Sequence, residues 1–234
     1  MEAGKAADAY GLFAGHTVEQ CDAEQAYIQS RLGGEPTWVR LPKERWPAEW
    51  VRKKFRDPVC PLILALYGHP DSGGYWEKHC AEHLVSVGFK PIPEWRSCYF
   101  HPVLKLFLVV YVDDFKMSGP QKQMKEGWAL IRKKIKTEEP TSAGKYLGCD
   151  HIIGQKFVAA GSNPRHADYI PEKDNAAGRD WTKRYGQGKP VDRSKKVTLR
   201  TMTYDMSSFF ASCVERYLEL AKIGKDKLRA VETP

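Results

Sequence analysis

The sequence has no long hydrophobic run. The apolar stretch 106–111 ends at two aspartates, far short of the roughly 20 apolar residues that a membrane-spanning helix needs. The first residues, Met1-Glu2-Ala3-Gly4-Lys5, also lack the apolar core of a signal peptide. We therefore expect no membrane association and an intracellular location, either cytoplasmic or nuclear.

Closely spaced cysteine pairs are also missing. The six cysteines are spread along the chain without a CxxC motif, which argues against a disulfide framework and favours buried, reduced thiols. Cys80-x-x-His83 and Cys98-x-x-His101 do have the spacing of zinc ligands. However, Cys80 falls on the apolar face of a predicted helix and Cys98 opens a predicted strand, so core packing is the competing interpretation.

The chain does have a basic surplus, with a formal net charge of +8 and a pI of about 9.1. Hydrophobic residues make up 42% of it and seven are Trp, enough for a globular core. A basic surplus favours a polyanionic partner such as nucleic acid, although many soluble proteins are mildly basic without one. Basic clusters at 53–56, 132–136 and 183–196 could contact phosphates or simply face solvent.

The order of predicted elements is mixed, which is typical of an α+β fold. Apolar residues with helical spacing predict amphipathic helices over residues 75–87, 124–135 and 206–220. Asp205 and Gly224 are expected to cap the last of these helices. The predicted divisions of the chain are a flexible N-terminus (1–17), a main folded region (18–152), a polar loop or insertion (153–196) and a helical region (197–234).

Carboxylates follow apolar segments at two places. Asp22 ends one predicted strand, whereas Asp113 and Asp114 lie between a strand over 104–111 and a return strand over 115–117, at the tip of a hairpin. Charges beside buried strands must be neutralised or bound to a cation. If the strands are neighbours, the three carboxylates could hold two divalent ions roughly 4 Å apart, and hard oxygen ligands favour Mg²⁺ or Mn²⁺. An Asp-Asp pair in an ordinary turn is the alternative.

Several short motifs occur in the order seen in copia-type retrotransposon polyproteins, and the chain resembles their reverse transcriptase domain. The motifs are Cys21-Asp22-Ala23-Glu24-Gln25-Ala26-Tyr27, Ala65-Leu66-Tyr67-Gly68, Gly88-Phe89, Tyr111-Val112-Asp113-Asp114 and Tyr146-Leu147-Gly148. The resemblance covers about residues 18–148 and resumes more weakly over 206–234. It implies a right-hand polymerase palm with partial fingers and the start of a thumb. Such an enzyme extends an RNA or DNA primer–template with deoxynucleoside triphosphates by two-metal nucleotidyl transfer.

The resemblance also implies roles for individual residues. Asp22 and Asp113 would ligate both Mg²⁺ or Mn²⁺ ions, and Asp114 would support the metal site and its catalysis. Tyr27 matches the aromatic residue beneath the incoming sugar, which selects deoxyribose by excluding the 2′-hydroxyl. Ala23 would lie beside the same nucleotide.

Four further residues match segments that contact the nucleic acid in this family. Tyr67 and Gly68 match the segment that touches the template and the nascent base pair. Tyr111 and Val112 would lie near the primer end.

The chain also departs from the family pattern. His69-Pro70-Asp71-Ser72-Gly73 stands where the family reads Leu-Lys-Gln-Ala-Pro, so Asp71 replaces the amide expected beside the nucleotide. A carboxylate there repels a triphosphate unless a metal ion or a lysine offsets it. The family's basic fingers strands have no counterpart before Asp22. The alternative is therefore a catalytically inactive relic or repurposed palm that binds nucleic acid or protein, including segments of a parent polyprotein.

Overall fold

The structure is a computed structural model that describes residues 2–159 and 196–228. Helices and strands are interspersed along the chain, so the fold is α+β, as predicted. Its contacts separate two units, residues 1–148 and residues 149–234. In the described ranges, no helix has the length and apolar content that crossing a membrane requires.

The first unit contains nine strands, most of them short. They are β1 (His16–Asp22), β2 (Trp38–Arg40), β3 (Val59–Pro61), β4 (Lys90–Pro91), β5 (Cys98–His101), β6 (Leu106–Tyr111), β7 (Asp114–Pro120), β8 (Thr141–Ser142) and β9 (Lys145–Tyr146). Six of them form an antiparallel sheet in the order β4-β5-β6-β7-β1-β8, while β2 and β3 pair separately. The predicted hairpin is present as β6 and β7, and β1 lies beside it.

Two helices cover one face of this sheet. The first unit has α1 (Glu2–Gly11), α2 (Ala48–Arg52), α3 (Ser72–Ser86) and α4 (Gln121–Ile131). The predicted apolar stripes of α3 and α4 pack with β6 and β7 in one core that includes Trp76, Leu84, Trp128 and Phe115. Burial of each such side chain contributes roughly 1.5–3 kcal/mol. Helix α4 ends at Ile131 rather than at the predicted residue 135.

The other face of the sheet is covered by α1, within the segment predicted to be flexible. Ala7 packs there with Phe107 and Val109. Asp8 accepts a hydrogen bond from Lys116 Nζ on β7 at 3.0 Å, and their side chains are 1% and 0% exposed. The prediction of a flexible N-terminus is therefore wrong for residues 2–11, because small alanines that look featureless in sequence allow this helix to pack closely.

The second unit begins with a long antiparallel pair of strands, β10 (Cys149–Ala159) and β11 (Lys196–Asp205), followed by α5 (Ser207–Ala221). The polar loop predicted to start at residue 153 therefore begins as strand, and residues 160–195 lie outside the described part. Met206 occupies the N-cap position, so the predicted capping role belongs to the residue after Asp205, although Asp205 Oδ1 accepts the Ser207 N–H at 2.8 Å. The helix ends with Lys222 in the left-handed region at φ 54°, so the predicted capping role of Gly224 is wrong.

Candidate active site

The turn between β6 and β7 consists of Val112 and Asp113. Val112 has φ 58°, which is strained for a β-branched residue. Two hydrogen bonds hold the turn in place. The buried Trp76 indole donates to the Val112 carbonyl at 2.6 Å, and the Ala23 N–H donates to the Asp113 carbonyl at 2.7 Å. A helix residue on α3 and the residue that follows β1 thus fix the position of the turn that carries Asp113.

The structure brings Asp22, Asp113 and Asp114 together. Asp22 and Asp114 are direct partners across β1 and β7, so their side chains leave the same face of the sheet. The pKa of Asp114 is raised to about 6. Burial is the largest cause, followed by the negative charges of Asp22 and Asp113 and a hydrogen bond to Asp22. The negative charges of Asp22 and Asp113 are therefore close enough to oppose the ionisation of Asp114.

The chemistry of this cluster fits a hard divalent cation. Its donors are all carboxylate oxygens, and no Lys or Arg of the described ranges forms a salt bridge to Asp22, Asp113 or Asp114. A bound cation would relieve their mutual repulsion. Nevertheless, the described residues contain no group of three or more His, Cys, Asp or Glu side chains arranged to hold a metal ion.

The raised pKa of Asp114 gives a pH-dependent prediction. The folded protein takes up this proton more readily than the unfolded chain, so its stabilising effect is complete below about pH 4 and is lost as the pH rises through about 6. In EDTA at pH 7, we expect Asp114→Asn to stabilise the fold by about 1 kcal/mol, allowing for its partial exposure. Thermal melts at pH 7 and pH 4 measure this effect. A gain in stability that is equal at both pH values would contradict the account.

Tyr27 and Tyr67 stack beside the carboxylates. Tyr27 belongs to a short 3₁₀ helix, Ala26–Gln29, that follows β1. Its ring lies 4.3 Å from that of Tyr67, centroid to centroid, at 27° between planes. Burial raises the pKa of Tyr67, and the nearby charge of Asp113 adds to this. Tyr27 and Tyr67 belong to two different motifs of the resemblance, and their rings thus meet next to Asp113, which belongs to a third motif.

The loop after Tyr67 is closed by Ser72. The Ser72 hydroxyl accepts the Leu66 N–H at 2.9 Å and donates to the Leu66 carbonyl at 2.8 Å. Gly68 has φ +94°, a conformation suited to glycine. Asp71 is exposed immediately before α3, and in the described part no hydrogen bond or ion pair joins its side chain to the carboxylate cluster.

The remaining predicted residues differ in exposure. Tyr111 and Val112 are 58% and 42% exposed, whereas Ala23 is 5% exposed. Tyr111 pairs with Asp114 at the end of the hairpin. Tyr111 and Val112 are thus accessible to a ligand, while Ala23 acts through its backbone N–H.

Sequence reasoning missed three residues near the cluster. Trp76 lies within the predicted amphipathic helix over 75–87, and its indole also holds the turn. Lys116 follows Asp114 by two positions on β7 and so faces the same side of the sheet. Tyr146 lies under the Lys116 ammonium, 4.0 Å from Nζ to the ring centroid, and burial together with the charge of Asp114 raises its pKa. The alternation of side chains along a strand could have predicted which face of the sheet Lys116 occupies, but it could not have predicted that Lys116 is buried.

The two Cys-x-x-His pairs belong to the core. Burial raises the pKa of Cys80 to about 12, and Cys98 is 2% exposed. His83 Nε2 donates to the Ile131 carbonyl at 2.8 Å. His101 Nδ1 accepts the Leu104 N–H at 3.1 Å. Because both thiols are buried and both imidazoles already form hydrogen bonds to the backbone, core packing is favoured over zinc binding.

A scan of protein-family models and a search of curated proteins both found no match to this chain.

Proposed function

We propose that the first unit is a reverse transcriptase palm of the copia type, which extends a primer on an RNA or DNA template by two-metal nucleotidyl transfer. The observation that carries the proposal is the meeting of Asp22, Asp113 and Asp114 beside the stacked rings of Tyr27 and Tyr67. These residues come from three separate parts of the sequence, and a turn in the core of a purely structural domain does not need them together.

In this proposal Asp22 and Asp113 hold the divalent ions, with Asp114 as the third carboxylate. Bound Mg²⁺ would lower the pKa of the primer 3′-hydroxyl and stabilise the charge of the transferring phosphoryl group. The hydrogen bond from the Ala23 N–H to the Asp113 carbonyl keeps the two metal ligands on one rigid support. Such preorganisation reduces the cost of arranging ligands during the reaction.

The stacked tyrosines supply the sugar-binding part of the proposed site. Tyr27 packs against the core, and the ring of Tyr67 limits its movement from the other side. A fixed aromatic ring can exclude a 2′-hydroxyl by steric contact, which is the role that the resemblance gives to Tyr27. Deoxynucleoside triphosphates are therefore the proposed substrates.

A second candidate is a palm that has lost catalysis and binds nucleic acid or protein. It is favoured by the exposed carboxylate of Asp71 in the loop before α3, since this residue places negative charge where the resemblance would have a triphosphate bind.

Primer extension tests the two candidates. The full chain is incubated with a DNA primer on an RNA template, with deoxynucleoside or ribonucleoside triphosphates, in Mg²⁺, Mn²⁺ or EDTA. The polymerase proposal expects templated extension with deoxynucleotides only and none in EDTA. Binding of the primer–template without extension in either metal ion would support the second candidate instead.

A further inference from the structure

Residues 30–65 form an arm that leads away from the stacked tyrosines. Its two sides are joined by backbone hydrogen bonds and bridges along their length: Ala65 N–H to Ser30 O at 3.0 Å, Leu32 N–H to Ile63 O at 2.9 Å, Leu62 N–H to Thr37 O at 2.8 Å, and then the β2–β3 pairing. At a fully extended 3.3 Å or so per residue, the eight steps from Tyr67 to Val59 span at most about 25 Å. The far end, residues 38–58, is called the arm tip below.

The arm tip has a small aromatic centre of its own. Trp50 lies between Trp46 and Phe55, with ring centroids 6.3 Å apart in both pairs. The Trp46 indole donates to the Leu41 carbonyl at 3.0 Å. These contacts, and the single helical turn of α2, give the tip a defined surface. Phe55 and Trp38 remain 45% and 59% exposed.

The surface of the arm tip is strongly basic. Its charged residues are Arg40, Lys43, Arg45, Arg52, Lys53, Lys54 and Arg56 against Glu44, Glu49 and Asp57. Two salt bridges occur here, Arg40 with Asp57 at 2.8 Å and Lys53 with Glu49 at 2.6 Å, both between exposed side chains. The other basic side chains of the tip are exposed and form no salt bridge with any described residue. This unneutralised charge indicates an anionic partner.

We propose that the arm tip binds single-stranded nucleic acid, with Arg52, Lys54 and Arg56 on the phosphates and the exposed rings of Trp38 and Phe55 available for base stacking. Positive charge combined with exposed aromatic rings is the usual composition of such surfaces. An anionic membrane is a poorer fit, because an interfacial helix needs a long apolar face. Here α2 has only five residues, and the two central tryptophans pack on each other.

This inference rests on the proposed function only for identifying the strand as the template that leads to the site. Binding itself depends on side chains of the arm tip and on none of the three carboxylates, so it does not require metal ions. Failure of catalysis and failure of this inference are therefore separable.

The test is binding of a fluorescein-labelled oligo(dT) or oligo(U) to the full chain in EDTA. The Arg52→Gln, Lys54→Gln, Arg56→Gln triple variant should bind about tenfold or more weakly at low salt. Its plot of log affinity against log salt should lose about two units of slope, at roughly 0.7 per phosphate contact to a single strand. A matched control removes three exposed charges elsewhere, Lys90→Gln, Lys122→Gln and Lys125→Gln, and should retain wild-type affinity.

Circular dichroism melts of both variants verify folding, which the exposure of all six side chains should preserve. Equal oligonucleotide affinity for the wild type and the triple variant would overturn the inference, whatever the result of primer extension. So would binding of the wild type to phosphatidylserine vesicles but not to the oligonucleotides. Loss of extension with intact, arm-dependent binding would instead reject the proposed catalysis alone.

Discussion

Replacing Asp113 with Asn should lower metal-dependent primer extension by about a thousandfold or more, equivalent to about 4 kcal/mol in the activation barrier. The amide keeps the size of the side chain but removes the negative charge that would hold a divalent ion. The fold should survive, because the turn is held by the backbone carbonyls of Val112 and Asp113 and not by this side chain.

Glu126→Gln provides the matched control. Glu126 is an exposed carboxylate on α4, so its replacement removes the same charge from the same chain without touching the cluster. Extension should remain at the wild-type level in this variant. If Asp113→Asn extended primers as fast as Glu126→Gln does, Asp113 would have no catalytic role.

Replacing Lys116 with Met should destabilise the first unit by about 3–5 kcal/mol, because the Asp8 carboxylate would stay buried without its cation. Lys116 is fully buried, with Asp8 Oδ1 3.0 Å from its Nζ and the Tyr146 ring 4.0 Å below it. The Asp8→Asn variant should lose a similar amount, since it leaves the ammonium group with a neutral partner. Urea unfolding of the purified chain measures both changes.

The double variant Asp8→Leu, Lys116→Met distinguishes charge burial from packing. Removal of both charges eliminates the unpaired ion, so the double variant should be more stable than either single variant. Additive losses in the double variant would show that the pair contributes through shape alone. Losses below about 1 kcal/mol in the single variants would contradict the burial of this pair.

The hairpin that carries Asp113 was predictable because its signals are local. An apolar strand, two acidic residues and a return strand lie next to each other in the sequence, and β6 and β7 form the predicted hairpin. Only Asp113 lies in the turn, however, because Asp114 pairs with Tyr111 as the first residue of β7. The helix α3 was predictable for the same reason, from the 3.6-residue spacing of Trp76, Cys80 and Leu84. Its end also agrees, with Gly88 in the left-handed region at φ +101°.

Other features depend on distant partners and could not be derived from local pattern. Burial of Lys116 requires Asp8, which is far away in sequence and lies in a segment of small residues without a strong apolar period. Stacking of Tyr27 on Tyr67 was not expected from spacing, although the resemblance assigned both to the site. The apolar stripe over residues 206–220 predicts an amphipathic helix, but Phe210 and Leu220 on α5 are 60% and 65% exposed. Periodicity indicates an apolar face and does not show what covers it.

Binding of Mn²⁺, followed by electron paramagnetic resonance, tests the central claim that Asp22 and Asp113 form a two-metal site. The full chain is titrated at pH 7.5 with a primer–template and a non-hydrolysable deoxynucleotide, beside the Asp22→Asn, Asp113→Asn double variant. The account predicts two bound ions per wild-type chain that are lost in the double variant. Equal Mn²⁺ binding by both proteins would contradict it.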